Sequence, residues 1–389
     1  MTKDSPSDRA WLVTLVFYLC LIYPPLVLSD VAANLPFLKG DCQFYRAVIV
    51  SILEDGDLLL ANNVSEPLSG QLALGTQGLV PKHPIFMSVV SIPFYLLFED
   101  KGLLLFNIID CMILMLLIFK LNRLFYDAPI AFATTALYAT GTLFFDYVYN
   151  YSPDVFSTVF VLSGLYLVLK RKFYTGAFLL GLSVFAKVPN ALLAAVIFAY
   201  ASFTIFREKE AGSYITKTSL AKKAATITVA GAIFIVGLMP LAYVNYSLFG
   251  SPFVTGYQRT AVAGHASAEI LTINRATEFN RPLLKGGYFL LFDRYHGLMP
   301  TNPVLILAFL GLLLMRRNGN DNAFYLLFTI CVVQFVLFSK YQEWNSSHFS
   351  NRYLMTLVAV SSVFTSSFLK YIKHKFFAEI LSYDVARFG

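Results

Sequence analysis

The chain has 389 residues, 57% of them hydrophobic and 14% charged, with a net charge of +7 and a mean hydropathy of +0.64. A water-soluble domain carries about 25% charged residues, so this composition excludes a chain that hides its apolar side chains in one aqueous core. Lys and Arg cluster between apolar runs, where the positive-inside bias places them on the cytoplasmic side; the charge reads as topology, and no nucleic-acid partner is expected.

Apolar stretches close to the roughly 20 residues that cross a bilayer occur at 11–29, 102–119, 128–145, 154–169, 188–206, 224–246, 322–339 and 352–370. Shorter ones lie at 85–98, 174–186 and 303–315. The first run, from Trp11 to Ser29, has no small-x-small cleavage site and reads as a retained span. Basic segments at Lys120–Arg123, Lys170–Lys172, Arg207–Lys223, Arg316–Arg317 and Lys370–Lys375 mark one face. Segments 30–101, 146–153, 247–302 and 340–351 then lie on the other. The alternation closes only if 85–98, which contains Pro93, is re-entrant or interfacial. The expectation is an all-α polytopic membrane protein with about ten to eleven transmembrane helices. One transmembrane domain covers 1–375, with a short C-terminal tail at 376–389. The first outer loop, about 30–101, carries amphipathic interfacial helices: Phe44, Val48, Ile52 and Leu53 recur at helical spacing. The second long outer loop is about 247–302.

The candidate chemistry gathers in these outer segments, and each residue has a plain alternative. Asp41 precedes an apolar-periodic run, the usual place of an N-cap, unless it has a functional role. Lys82 and His83, before Pro84, are either functional groups or interfacial anchors. Asp154, after Pro153, is a second acid or a helix cap. Lys187 interrupts two apolar runs, where a charge is functional or snorkels to the headgroups. Arg352 enters the last span from outside and binds phosphate or anchors the helix. Asp110 lies inside a span and must be protonated, paired or facing water. The four cysteines, Cys20, Cys42, Cys111 and Cys331, have neither metal-ligand nor disulfide spacing.

Several motifs occur in a telling order: Gly40-Asp41-Cys42-Gln43-Phe44-Tyr45, a Gly56-Asp57 turn, Pro81-Lys82-His83-Pro84 and Tyr151-Ser152-Pro153-Asp154. Gly181-Leu182-Ser183 with Lys187-Val188-Pro189-Asn190 follows, then Phe249-Gly250-Ser251-Pro252-Phe253 with Gly256-Tyr257. Leu291-Phe292-Asp293 with His296-Gly297-Leu298, and Trp344 with Asn351-Arg352-Tyr353-Leu354, complete the series. Over residues 10–370 this order resembles the GT-C superfamily of glycosyltransferases, in particular the bacterial branch of aminoarabinose transferase and the protein O-mannosyltransferases. The resemblance implies a polyprenyl-phosphate-linked sugar donor, a glycan, lipid or protein acceptor, and an active site on the extracytoplasmic face of a bacterial cytoplasmic membrane. It implies single inverting displacement with Asp41 as base. Lys82, His83, Arg352 and Lys187 would bind the donor phosphate, with Asp154, Tyr45, Arg294, His296 and Tyr353 as secondary substrate-site candidates. Cys42 stands where the family usually has an acid, so no cofactor and no obligatory metal is expected. The alternatives are a transporter or flippase of a lipid-linked saccharide, or a non-catalytic lipid-binding scaffold.

Overall fold

A computed structural model describes residues 6–31, 40–66, 68–207, 217–263, 270–315, 321–342 and 350–388. Trp344 and the Arg316–Arg317 segment lie outside the described residues. The first half of the chain supplies α1 Pro6–Val31, α2 Asp41–Val50, α3 Phe86–Phe98, α4 Asp100–Asn122, α5 Ala128–Gly141, the single turn α6 Phe144–Tyr147, α7 Pro153–Leu169 and α8 Phe173–Ala186. The second half supplies α9 Asn190–Arg207, α10 Lys217–Phe249, α11 Leu283–Phe292, the turn α12 Leu298–Thr301, α13 Leu305–Met315, α14 Asp321–Ser339 and α15 Met355–Phe388. Helix α15 runs through residue 376 without a break, so the expected tail continues the last helix.

Five described helices are long and apolar enough to cross a membrane, lying within α4, α9, α10, α14 and α15, and shorter apolar helices fill the rest of the bundle. The protein is an integral, multi-pass membrane protein. Helix α3, with 13 residues, extends about 20 Å at 1.5 Å per residue, short of a hydrocarbon core of about 30 Å. It ends at Glu99, whose φ of 52° turns the chain straight into α4.

Lipid offers helices no hydrophobic reason to associate, so close backbone packing and polar contacts hold them together. Gly181 of α8 meets Gly237 of α10 so closely that a Cβ on Gly181 would lie 2.4 Å from the Phe234 carbonyl oxygen. Along α15, a buried strip of hydroxyls stitches the helix to α4 and α5. Asn122 donates to Ser362 at 2.9 Å and accepts from Ser366 at 2.7 Å, while Tyr138 reaches Ser361 at 3.0 Å and Thr365 at 2.8 Å.

The two long loops add a small sheet to the helical fold. Four short strands, β1 Ser69–Leu74, β2 Leu79–Pro81, β3 Thr260–Ala263 and β4 Ile270–Ile273, form an antiparallel sheet in the order β2-β1-β3-β4. Its centre pairs the two loops: Ala73 faces Thr260 and Ser69 faces Val262. Strands of three to six residues leave no alternation long enough to stand out beside membrane-spanning runs. Helix α2 buries Phe44 and Val48 of the predicted apolar face beside Leu60, Leu72 and Ala261, whereas Leu53, in the π-helical turn Ser51–Asp55 that continues it, is exposed.

Candidate active site

Gly40, at φ 60°, is the N-cap of α2, which leaves Asp41 at the first helical position with its side chain free of capping duty. Its carboxylate accepts instead from the Arg352 guanidinium, delivered by the helical turn Arg352–Leu354 ahead of α15. Asp154 is likewise not a cap. Ser152 caps α7, accepting from the Asp154 backbone N–H at 3.3 Å, and donates to the Asp154 carboxylate at 3.1 Å. Lys187, where α8 gives way to extended backbone, pairs with Asp154 and lies 4.9 Å from the centroid of the Tyr353 ring. Lys187 thus points into the protein and does not snorkel. Arg352 Nε is 3.7 Å from Asp154, so one guanidinium, only 8% exposed, stands between two carboxylates from distant parts of the chain.

Lys82 follows β2 directly. Its ammonium donates to the Gly70 carbonyl at 2.7 Å and to Gln71 Oε1 at 2.9 Å. Gly256, from the second loop, rests on its backbone: a Cβ there would come within 2.5 Å of Lys82 Cα. His83 contacts the Tyr257 hydroxyl through Nδ1 at 3.0 Å and Gln71 Oε1 through Nε2 at 3.3 Å, and its ring stacks on Tyr45.

Burial alone would raise the Asp41 carboxyl, but the neighbouring Arg352 guanidinium outweighs it and holds the group well below the usual carboxylate range. Burial pulls Lys82 down to about 8 and His83 down to about 3, so the imidazole is neutral at physiological pH. Cys42, 1% exposed in the core behind Asp41, is pushed by burial up to about 12 and serves as a small apolar group. Among the described residues, no cluster of three or more His, Cys, Asp or Glu side chains forms.

The structure brings eight of the ten predicted site residues to one cavity of about 320 Å³: Asp41, Tyr45, Lys82, His83, Asp154, Lys187, Arg352 and Tyr353. Arg294 and His296 are not among its lining residues. His296 instead belongs to a local turn, in which Asp293 Oδ1 accepts from the backbone N–H groups of Tyr295 and His296 and lies 3.1 Å from His296 Nδ1, while Arg294 lies over the Tyr295 ring. Gln71, Tyr257, Arg275 and Tyr341 complete the wall. Gln71 and Arg275 had no signal in the sequence, because each reaches the cavity only through the sheet shared by the two loops. Four cations, Lys82, Lys187, Arg275 and Arg352, face two carboxylates there, so the cavity suits an anion. A second cavity of about 240 Å³ adjoins it, lined mainly by apolar side chains including Val188, Leu192, Phe279, Leu337 and Phe338. The two share Lys187, Tyr257, Arg275, Tyr341 and Tyr353.

No family model matches this chain, and no curated protein does either. Solved structures do. ArnT from Cupriavidus metallidurans bound to undecaprenyl phosphate is similar over 93% of this chain and 60% of that one, at 13% identity and a TM-score of 0.61. The same protein in the apo state matches over 94% of this chain and 60% of that one, at 12% identity and a TM-score of 0.58. The archaeal oligosaccharyltransferase AglB from Archaeoglobus fulgidus, in complex with an inhibitory peptide and a dolichol-phosphate, matches over 98% of this chain and 52% of that one, at 11% identity and a TM-score of 0.54. The chain therefore spans between about half and 60% of the length of these structures, and its fold is similar to theirs.

Proposed function

We propose that this protein is a glycosyltransferase that moves one sugar from a polyprenyl-phosphate-linked donor to a hydroxyl of a glycan, lipid or protein acceptor at the extracytoplasmic face of a bacterial cytoplasmic membrane. The observation that carries the proposal is the junction of two cavities, one polar and rich in cations, one apolar, with Lys187 and Arg275 on their common border. An amphiphile with an anionic head and a hydrocarbon tail satisfies both at once. A simple anion leaves the apolar chamber unfilled, and a neutral lipid makes no use of the four cations that face two carboxylates in the polar one.

In the reaction, the acceptor oxygen attacks the anomeric carbon as the bond from that carbon to the phosphate oxygen breaks. The leaving electron pair stays on the polyprenyl phosphate, where fixed cations stabilise the growing charge without reorganising. Asp41 takes the hydroxyl proton. Its pairing with Arg352 keeps it ionised throughout the physiological pH range but makes it a weak base, so it takes the proton only as the attacking oxygen gains positive charge. A carboxylate held so acidic passes the proton readily to the departing phosphate, which is the stronger base. Attack opposite the leaving group inverts the anomeric centre. Asp110, the one acid predicted at mid-span, lines neither chamber, which favours transfer over transport along a polar path through the bundle.

Native mass spectrometry of the detergent-purified protein with undecaprenyl phosphate tests this directly. The wild type is expected to retain the lipid and Lys82→Ala to lose most of it. Absence of lipid binding by folded wild type overturns the proposal.

A further inference from the structure

The hydrogen bonds linking Lys82, Gln71, His83 and Tyr257 run in one direction only. An ammonium has protons and no lone pair, so the Gln71 amide atom 2.9 Å from Lys82 Nζ is the carbonyl oxygen. The same oxygen lies 3.3 Å from His83 Nε2, which must therefore carry a proton. Burial keeps the imidazole neutral, so Nδ1 is bare and accepts from the Tyr257 hydroxyl at 3.0 Å. Tyr45, stacked at 5.6 Å, holds the ring in its plane. The only hydroxyl proton of Tyr257 is thus committed to His83, and the phenol oxygen turns lone pairs alone toward the cavity it lines.

We propose that Tyr257 is a specificity-determining residue that accepts a hydrogen bond from a hydroxyl of the donor's sugar, with His83 as the positioning residue that sets its polarity. The proposal rests on the glycosyltransferase reading above. An oxygen that only accepts repels phosphate and carboxylate and pairs with a hydroxyl. Lys187, Arg275 and Tyr257 all border the same two chambers, so a phosphate held by the two cations there leaves the sugar it carries within reach of the Tyr257 hydroxyl, which by its polarity takes the sugar and not the phosphate. A neutral imidazole with both nitrogens committed has no charge to offer a phosphate, so the chain's order assigns His83 to the sugar side.

The test compares affinity for undecaprenyl phosphate with affinity for undecaprenyl-phosphate-linked glucose, mannose and arabinose, titrated by native mass spectrometry on the full chain. Wild type is expected to prefer at least one glycosyl lipid over the bare one. Tyr257→Phe should leave bare-lipid affinity within about twofold and lower that preference about tenfold, the worth of one hydrogen bond near a charged site. His83→Leu should lose the same preference, and the double variant no more than either single one. His83→Gln, whose carbonyl oxygen can accept from Tyr257, should recover part of it and serves as the folded control if His83→Leu does not fold. An unchanged preference in Tyr257→Phe, additive losses in the double variant, or a wild type that binds bare and glycosyl lipids equally, overturns the inference. Failure of wild type to bind any of these lipids is the distinct result that overturns the donor reading itself.

Discussion

Arg352 and Asp41, 311 positions apart in the chain, form a buried ion pair that ties the start of α2 to the head of the last helix. The same guanidinium lies 3.7 Å from Asp154, which Lys187 and Ser152 also hold. The pair therefore has unequal ends: Asp154 keeps two partners without Arg352, whereas Asp41 loses its main one.

This asymmetry predicts different outcomes for two substitutions. Asp41→Asn removes the base with its geometry largely kept, and sugar transfer should fall by about 10²- to 10⁴-fold while the protein stays folded. Arg352→Gln leaves a carboxylate buried without its counter-charge, at a cost of about 3–5 kcal/mol. Burial then acts on Asp41 against only its remaining basic neighbours, Lys82 and His83, and its pKa rises, so residual transfer should fall away at acidic pH where wild type holds its rate. In wild type the depressed pKa means that the pair's stabilisation is complete above the unfolded carboxylate value of about 4 and is lost only as pH drops below it. Thermal unfolding measured from pH 2 to 8 and transfer rates from pH 4 to 8 check both statements; identical pH profiles for wild type and Arg352→Gln would sink them.

Lys82 gives the opposite limb. Burial lowers it from 10.5 to about 8, so above pH 8 the ammonium is lost in the folded protein while an unfolded lysine still carries its charge. Affinity for undecaprenyl phosphate should decline as pH rises from 7 to 9.5. Over pH 8 to 10.5 the unfolded state binds more protons than the folded one, so stability should rise with pH across that window even as lipid binding weakens. Lys82→Met, which keeps the stem and removes the charge, should flatten both dependences. Parallel lipid titration and thermal unfolding in the same buffers separate the two effects, and a wild-type affinity constant from pH 7 to 9.5 contradicts the assignment.

Much of this site was legible in the residues, and the reason is chemical. Asp41, Lys82, Asp154, Lys187 and Arg352 are charges at the edges of apolar runs, and a charge beside lipid needs a partner or a function. Their pairings were not legible, because a hairpin from residue 153 to 187 and a contact over 311 positions leave no local pattern. At Asp41 and Asp154 the N-cap alternative falls because of the neighbours: Gly40 and Ser152 occupy the cap positions. Arg294 and His296 misled because a polar loop beside a motif looks the same whether its residues face a cavity or, like Asp293 and His296, close their own turn. The sheet was hidden by the brevity of its strands, and with it went Gln71 and Arg275.

The seat of Lys82 depends on the absence of a side chain at Gly256. A Cβ added there would lie 2.4 Å from the Lys82 carbonyl oxygen, closer than non-bonded atoms approach, and the obstacle is backbone. Gly256→Ala should force the second loop off the first, cost about 1–3 kcal/mol as overpacking does, and weaken undecaprenyl phosphate binding through displacement of Lys82. Gly231, where a Cβ meets only the Phe198 ring edge at 3.7 Å, is the comparison: Gly231→Ala should change neither unfolding temperature by more than a degree or two nor lipid affinity. Equal behaviour of the two variants would show that the loops do not rest on each other in this way.

The apolar chamber makes its own prediction, because hydrophobic contributions scale with the length of hydrocarbon held. Each buried methylene contributes about 0.8 kcal/mol, so affinity for polyprenyl phosphates should climb with chain length and level off once the chain outgrows the chamber and enters lipid. Leu192 lines this chamber and not the polar one. Leu192→Trp should narrow this chamber and shorten the chain length at which affinity levels off, while binding of a short, soluble isoprenyl phosphate stays within about twofold. Titration of prenyl phosphates of increasing length against wild type and variant gives two curves to compare. Curves that coincide at every length place the tail elsewhere, whereas a variant that loses short and long ligands alike has damaged the cation-lined cavity instead.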